Sequence, residues 1–212
     1  MIVTAVRHAE SLGNAGLSDD EDPLLSPLGE RQARLTGERL AREGVTHVWS
    51  SPYRRAIRTA EHVAKLLGLE IVLRPDMCEH HLYDGLREFR FRPAAEIVAE
   101  FRGTRLADGF PVTGWEPEWP ESWEHLLGRT ARVAQAAFEL GLSAGPEAHL
   151  VVVGHGASVK GLMCALTGEV IPRDAPFTNA CLSRVRLADA LPGEEAFLND
   201  SRHLETLEEA GG

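Results

Sequence analysis

Short β-rich runs alternate along this chain with longer stretches whose apolar residues recur at helical spacing. Residues 2–6, Ile-Val-Thr-Ala-Val, predict a buried strand. Ser26-Pro27 marks a helix start, with Ser as N-cap and Pro at the first helical position, and Gly44 can end that helix. Residues 47–50 predict a second strand, and Ser51-Pro52 repeats the helix-start device. Ala56, Ala60, Val63, Ala64 and Leu67 then follow at helical spacing until Gly68 closes the helix. Residues 70–73 predict a third strand. Ser122 caps a long helix carrying Trp123, Leu126, Leu127, Thr130, Val133, Ala137 and Leu140 on one face. Residues 149–153 form the most apolar strand, and a helix over about 157–166 follows it. Residues 181–187 predict a last strand, with 196–198 as its partner.

The stretch from 74 to 121 breaks this rhythm, with one helical segment near 93–101. Loops of that length in compact domains are usually lids or binding elements. Elsewhere the alternation predicts one α/β domain over 1–212, a mostly parallel sheet with helices on both faces in three layers. The segment at about 74–121 is expected as a lid insertion over one end of that sheet, and the acidic tail at about 202–212 is expected to fray.

Composition narrows the partners. Apolar residues make up 43% and charged residues 25%, the balance of a soluble domain that buries its core without staples. A net charge of −10 and a pI near 5.4 argue against nucleic acid or an anionic membrane as partner. No apolar run approaches a membrane span, and the opening MIVTAVRHAES meets charge too soon for a signal peptide. The cytoplasm is therefore the expected location. Cys78, Cys164 and Cys181 show no ligand spacing, so neither a disulfide framework nor a zinc site is expected. Of 22 basic residues only Lys65 and Lys160 are lysine; genome composition accounts for most of that bias, although the planar fork of Arg also suits phosphate. The sequence leaves oligomeric state open, a homo-oligomer included.

Three polar clusters fall at corresponding places. Arg7-His8 follows the first strand, Ser51-Pro52-Tyr53-Arg54-Arg55 the second, and Gly154-His155-Gly156 the strand ending at Val153. In an open α/β sheet ligands sit at the carboxyl ends of the strands, where helix N-termini add free N–H groups and partial positive charge. Taken singly, each cluster could be a solvated turn. Chance clusters would scatter around the fold, whereas these three converge on one anion site.

These segments resemble the histidine phosphatase superfamily, which includes the cofactor-dependent phosphoglycerate mutases and many small phosphatases. The resemblance lies in Val6-Arg7-His8-Ala9-Glu10-Ser11 with Asn14, in Asp22-Pro23-Leu24-Leu25-Ser26-Pro27-Leu28-Gly29 with Gln32-Ala33, in Ser50-Ser51-Pro52 with Arg55-Ala56 and Thr59-Ala60-Glu61, and in Val153-Gly154-His155-Gly156. It runs in order over about residues 1–187 and takes in Glu121-Ser122 with Arg129. It implies His8 as a nucleophile attacking phosphorus in line. Arg7, Arg55 and His155 would hold the phosphoryl oxygens and Asn14 would be a further donor, with Ser11, Gly156 and Ala157 also on the phosphate or substrate. Arginines and histidines then supply the positive charge, and neither metal nor cofactor is expected.

The family also uses a carboxylic acid shortly after the third strand; Glu79 is the candidate and Glu88 the reserve. Two positions depart from the pattern: Ala9 stands where a glycine is usual, and Tyr83 where a glycine often follows the acid. His80, His81, Tyr83, Trp115, Trp119 and Trp123 could line a pocket for the alcohol half of the substrate or simply pack, and Arg87, Arg90, Arg92, Arg102 and Arg105 could meet a second phosphate or form a solvated face. The expected activity is hydrolysis of small-molecule phosphate monoesters through a phosphohistidine. The alternatives are phosphoglycerate mutase-type transfer, disfavoured because Ala15-Gly16-Leu17-Ser18-Asp19-Asp20 does not resemble the mutase's longer sugar-binding stretch, and a non-catalytic phosphate-binding module.

Overall fold

In a computed structural model, residues 1–81, 92–111 and 119–209 are described. They form a seven-stranded sheet in the order β4-β3-β2-β5-β1-β6-β7. The strands are β1 (Ile2–Arg7), β2 (His47–Ser50), β3 (Ile71–Leu73), β4 (Thr104–Leu106), β5 (His149–Gly154), β6 (Leu182–Arg186) and β7 (Glu194–Asp200). The first five in that order are parallel; β6 runs antiparallel to β1, and β7 antiparallel to β6. The helices are α1 (Pro27–Ala41), α2 (Arg54–Leu67), α3 (Ala94–Glu100), α4 (Trp123–Ala144), α5 (Gly156–Thr167) and α6 (Glu205–Glu209). Among the described residues no helix is long and apolar enough to cross a membrane.

The most apolar strand is central because both its faces are covered. Val151 and Val153 of β5 pack with Tyr53, Ile57 and Val63 under α2, while Leu150 and Val152 pack with Val133, Ala137 and Leu162 under α4 and α5. A continuous apolar run is the signature of a strand buried on both sides. This is the expected three-layer α/β arrangement. The caps agree in part. Ser26 accepts from the Gly29 N–H and Ser122 from the His125 N–H, and Gly68 ends α2 in the left-handed conformation at φ 67°. The helix start expected at Ser51-Pro52 lies later: Tyr53 is the N-cap of α2 and makes no side-chain cap bond. The Ser51 hydroxyl goes elsewhere, as shown below.

Two other expectations change. The irregular stretch after Arg74 contributes to the sheet itself, since β4 pairs in parallel with β3 as the edge strand. Three residues with one charged side chain give too short a pattern to read as a strand. Residues 82–91 and 112–118, which include Tyr83, Glu88, Arg87, Arg90 and Trp115, lie outside the described residues. The tail expected to fray from 202 is helical through Glu209, because Leu204 is buried against Ala33 and Leu25.

Arg129 is fully buried on the inner face of α4. It forms a two-pronged pair with Glu121, at 2.6 and 3.0 Å, and donates to the backbone oxygens of Asp76, Cys78 and Glu79 at 2.7, 2.8 and 3.0 Å. One guanidinium thus satisfies the turn that carries Glu79. Burial favours the neutral form of Glu121, but Arg129 and His81 hold its carboxyl down to about 2. Arg129→Met leaves that carboxylate uncompensated and should lower the unfolding free energy by about 3–5 kcal/mol. Since the folded value lies below the ordinary 4.5, this stabilisation is present above pH 4.5 and lost as pH falls toward 2. Urea denaturation of wild type and variant should therefore show a gap at pH 7 that narrows below pH 4.5. A gap under about 1 kcal/mol at pH 7, the size of a surface ion pair, would contradict this assignment.

Candidate active site

The parallel register brings the polar clusters together. Arg7 lies opposite Gly154, and Ser50 opposite Val153. The chain continues from these ends into His8, whose N–H donates to the Gly154 oxygen at 2.9 Å, and into Ser51, whose N–H donates to the Val153 oxygen at 2.9 Å. The His8 and His155 rings meet edge-on with centroids 5.0 Å apart.

The loop after β1 is held from three sides. Ser26 and Gln32 bind Glu10: the Ser26 hydroxyl donates to the Glu10 carboxylate at 2.6 Å, and the Glu10 N–H donates to Gln32 Oε1 at 2.9 Å. Gly29 lets α1 approach, because a Cβ there would stand 1.9 Å from the Glu10 carbonyl oxygen. Ala9, in the place of the usual glycine, is accommodated fully buried, its N–H on Thr59 Oγ1 at 3.1 Å. On the third side Asn179 donates to the carbonyl oxygen of His8 at 3.1 Å and to Asn14 Oδ1 at 3.2 Å, and the Ala180 N–H also reaches the His8 oxygen at 3.2 Å. The segment at 177–180 carried no sequence signal.

His8 Nδ1 sits 2.7 Å from the Ala9 carbonyl oxygen. A carbonyl only accepts, so Nδ1 carries the proton and Nε2 keeps its lone pair. Burial, then the charges of Arg55 and Arg7, push this imidazole well below its ordinary value, against the Ala9 hydrogen bond. His155 is lowered too, by burial first and then by Arg55 and His8. Its Nε2 lies 2.8 Å from Ser51 Oγ. As N-cap of α5, His155 also accepts with its side chain from the Ser158 N–H.

A cavity of about 250 Å³ opens over these groups, lined by Arg7, His8, Ser11, Asn14, Arg55 and Glu79 among others. Arg7 gives one Nη to the Phe177 oxygen, while its buried Nε has no partner among the described residues. Arg55 stacks on Tyr53 with its guanidinium carbon 4.2 Å from the ring centre, and lies 3.6 Å from Asp22. Burial pushes the Asp22 carboxyl up to about 6, although Arg55 and Arg54 oppose the shift. Ser11 spends its hydroxyl proton on Asn14 Oδ1 at 3.0 Å, so the Asn14 amide nitrogen is the end left for a ligand. A larger hollow, about 530 Å³, lies along β2, β3 and β4 beside Trp49 and Arg105 and includes none of His8, Arg7, Arg55, Asn14, Glu79 or His155.

Glu79 stands at the N-terminus of α5. Its Oε1 accepts from the His80 N–H at 2.9 Å and the Ala157 N–H at 3.1 Å, while Oε2 lies on the side of Gly156 and Arg7. The Ala157 amide expected on the phosphate is thus given to Glu79. Neither His155, Gly156 nor Ala157 walls the cavity; His155 lies behind His8. His80 and His81 do not wall the cavity: His80 Nε2 meets the Glu121 oxygen at 2.9 Å, and His81 is fully buried against Tyr53 and Glu121. Trp123 packs edge-on to His80, and neither it nor Trp119 walls the cavity. Arg92 and Arg105 pair with Glu100 and Glu70, and Arg102 is exposed. Arg54 also pairs with Glu100, so only its neighbour Arg55 reaches the site.

The sequence model of the histidine phosphatase superfamily (branch 1) matches residues 3–199. A probable phosphoglycerate mutase of Photorhabdus laumondii is 32% identical over 189 residues, covering 86% of this chain and 83% of the relative. The uncharacterized phosphatase PhoE of Bacillus subtilis is 30% identical over 190 residues, covering 88% and 89%. A mycobacterial glucosyl-3-phosphoglycerate phosphatase, solved with VO3, shares the fold at a TM-score of 0.69 and 24% identity, covering 94% of this chain and 99% of the other. The near-complete span of these matches means that this chain belongs to the histidine phosphatase superfamily, branch 1.

Proposed function

We propose that this chain hydrolyses phosphate monoesters of small molecules, with His8 as the nucleophile. The observation that carries this is the Nδ1–H given to Ala9, which leaves the His8 Nε2 lone pair beside a cavity walled by Arg7, Arg55, Asn14 and Glu79. The phosphoryl group enters between His8 and the two arginines. Arg7, Arg55 and the Asn14 amide meet its oxygens and stabilise the charge spread over them during transfer, while His155 packs edge-on against the His8 ring. The bond from phosphorus to the leaving oxygen breaks as the bond to Nε2 forms. Glu79, protonated on Oε2, gives its proton to the leaving alkoxide. The carboxylate left behind then takes a proton from water as that water attacks the phosphohistidine, which releases phosphate and restores His8. Ser11, Asn179 and the Ala157 amide orient these groups without touching phosphorus.

Relatives named as probable phosphoglycerate mutases keep transfer to a sugar acid as the second reading. Assays with and without a bisphosphorylated primer separate the two: primer-dependent isomerisation faster than phosphate release would favour the mutase.

His8→Ala should reduce kcat/KM for p-nitrophenyl phosphate by at least about 10³-fold while the fold is retained, as expected when a covalent nucleophile is lost. Turnover within tenfold of wild type would sink the proposal. In the free enzyme, the His8 imidazole should still be neutral at pH 6.5 because its pKa is lowered. Nitrogen chemical shifts of His8 across pH measure this, and a midpoint at or above 6.5 would contradict it. Glu79→Gln should cost far more on an alkyl phosphate, whose leaving group needs a proton, than on p-nitrophenyl phosphate, with a difference of about 10²-fold or more. Equal losses on both substrates would assign Glu79 to binding or folding.

A further inference from the structure

Four buried side chains connect the two halves of the site without facing the cavity. Tyr53 lies under the Arg55 guanidinium, 4.2 Å from its ring centre to the guanidinium carbon, and edge-on to His155 at 4.9 Å between centroids. Its hydroxyl is 3.0 Å from His81 Nε2. The other nitrogen of His81 lies 3.6 Å from Glu121 Oε2, and the His81 N–H donates to the same oxygen at 3.3 Å. Glu121 holds Arg129, and Arg129 holds the backbone of Asp76, Cys78 and Glu79. Tyr53, His81, Glu121 and Arg129 are each no more than 2% exposed.

Packing alone would not call for this chemistry. An apolar side chain fills such a space at lower risk, because every buried polar atom must find a partner. The chain begins at a group that meets the phosphoryl oxygens and ends at the turn bearing the proton donor. Burial raises the Tyr53 phenol well above its ordinary value, so it remains a proton-bearing donor to His81. Arg55 is steered from its other side by Asp22, which also accepts from the Arg54 N–H at 2.8 Å, so the stacking on Tyr53 fixes the guanidinium between two supports.

We propose that Tyr53 and His81 are positioning residues that tie the Arg55 clamp to the Glu79 turn through Glu121 and Arg129, so that phosphoryl grip and proton donation are set by one buried network. This rests on the roles given above to Arg55 and Glu79. The prediction is directional. Removing the Tyr53 hydroxyl loosens the link toward Glu79 and leaves the ring under Arg55; removing the ring disturbs Arg55 itself.

The test uses Tyr53→Phe, Tyr53→Leu and the double variant Tyr53→Phe/His81→Phe, each assayed for kcat/KM on an alkyl and an aryl phosphate and for vanadate inhibition. Tyr53→Phe should lose about tenfold more on the alkyl than on the aryl substrate, a fraction of what the proton donor itself contributes. Tyr53→Leu should in addition weaken vanadate by about tenfold, the scale of one lost cation–π support in a desolvated site. Combined with Glu79→Gln, Tyr53→Phe should add little on the alkyl substrate, because both changes act on one step. The double variant leaves no unpaired polar group between positions 53 and 81, so a purely structural role would restore alkyl turnover; the proposal expects the alkyl defect to persist. If Tyr53→Phe does not fold, the alkyl-to-aryl ratio of the double variant decides alone. Equal losses on both substrates, full additivity with Glu79→Gln, or restored alkyl turnover in the double variant would overturn the network. None of these outcomes touches the role of His8, which His8→Ala and trapping of the phosphorylated enzyme test separately.

Discussion

β5 is hydrogen-bonded to β1 on one side and β2 on the other, all three running parallel. That arrangement constrains everything else in the site. Parallel strands end together, so the residues after Arg7, Ser50 and Gly154 leave the sheet at one end, on neighbouring strands of the order β2-β5-β1. Valines on both faces of β5 lock the register through two separate cores, because a slip by one residue would exchange the faces presented to α2 and to α4. The position of His8 beside His155 is thus a consequence of core packing some distance below the cavity.

Electrostatics then define the chemical state of the site. Two imidazoles are buried beside Arg55, with Arg7 also acting on His8, and both burial and charge favour their neutral forms. A neutral ring has one proton, and for His8 a fixed partner decides where it resides: the Ala9 carbonyl takes it on Nδ1. That arrangement presents the Nε2 lone pair to the cavity. Arginines, which stay charged under the same burial, supply the cationic surface.

Much of this was legible from the chain because strand-end polar clusters are local features. The runs before Arg7, Ser51 and Gly154 gave the strands, and a parallel sheet placed their ends together. Ser26-Pro27 and Gly68 were legible for the same reason, since caps act within one turn. Ser51 was misread because Ser-Pro before an apolar stripe has the form of a cap, whereas its hydroxyl is used by a histidine 104 positions away. Arg129 entered only through the resemblance, beside Glu121-Ser122 and without a role; its backbone partners, Asn179, and the pairing of Tyr53 with His81 depend on contacts between distant segments that no spacing encodes. The edge strand β4 is too short for a pattern, and the acidic tail docks through the buried Leu204, with Leu207 packed beside it.

The central claim is a covalent bond between phosphorus and His8 Nε2. Rapid acid-free quenching of enzyme mixed with a 32P-labelled phosphomonoester, followed by peptide mapping, tests it directly. Label is expected on the peptide containing His8, stable in alkali, released by mild acid, formed and consumed at rates that support turnover, and absent from His8→Ala. Steady turnover with no label on that peptide, or with alkali-labile label on a carboxylate or hydroxyl residue, would contradict it.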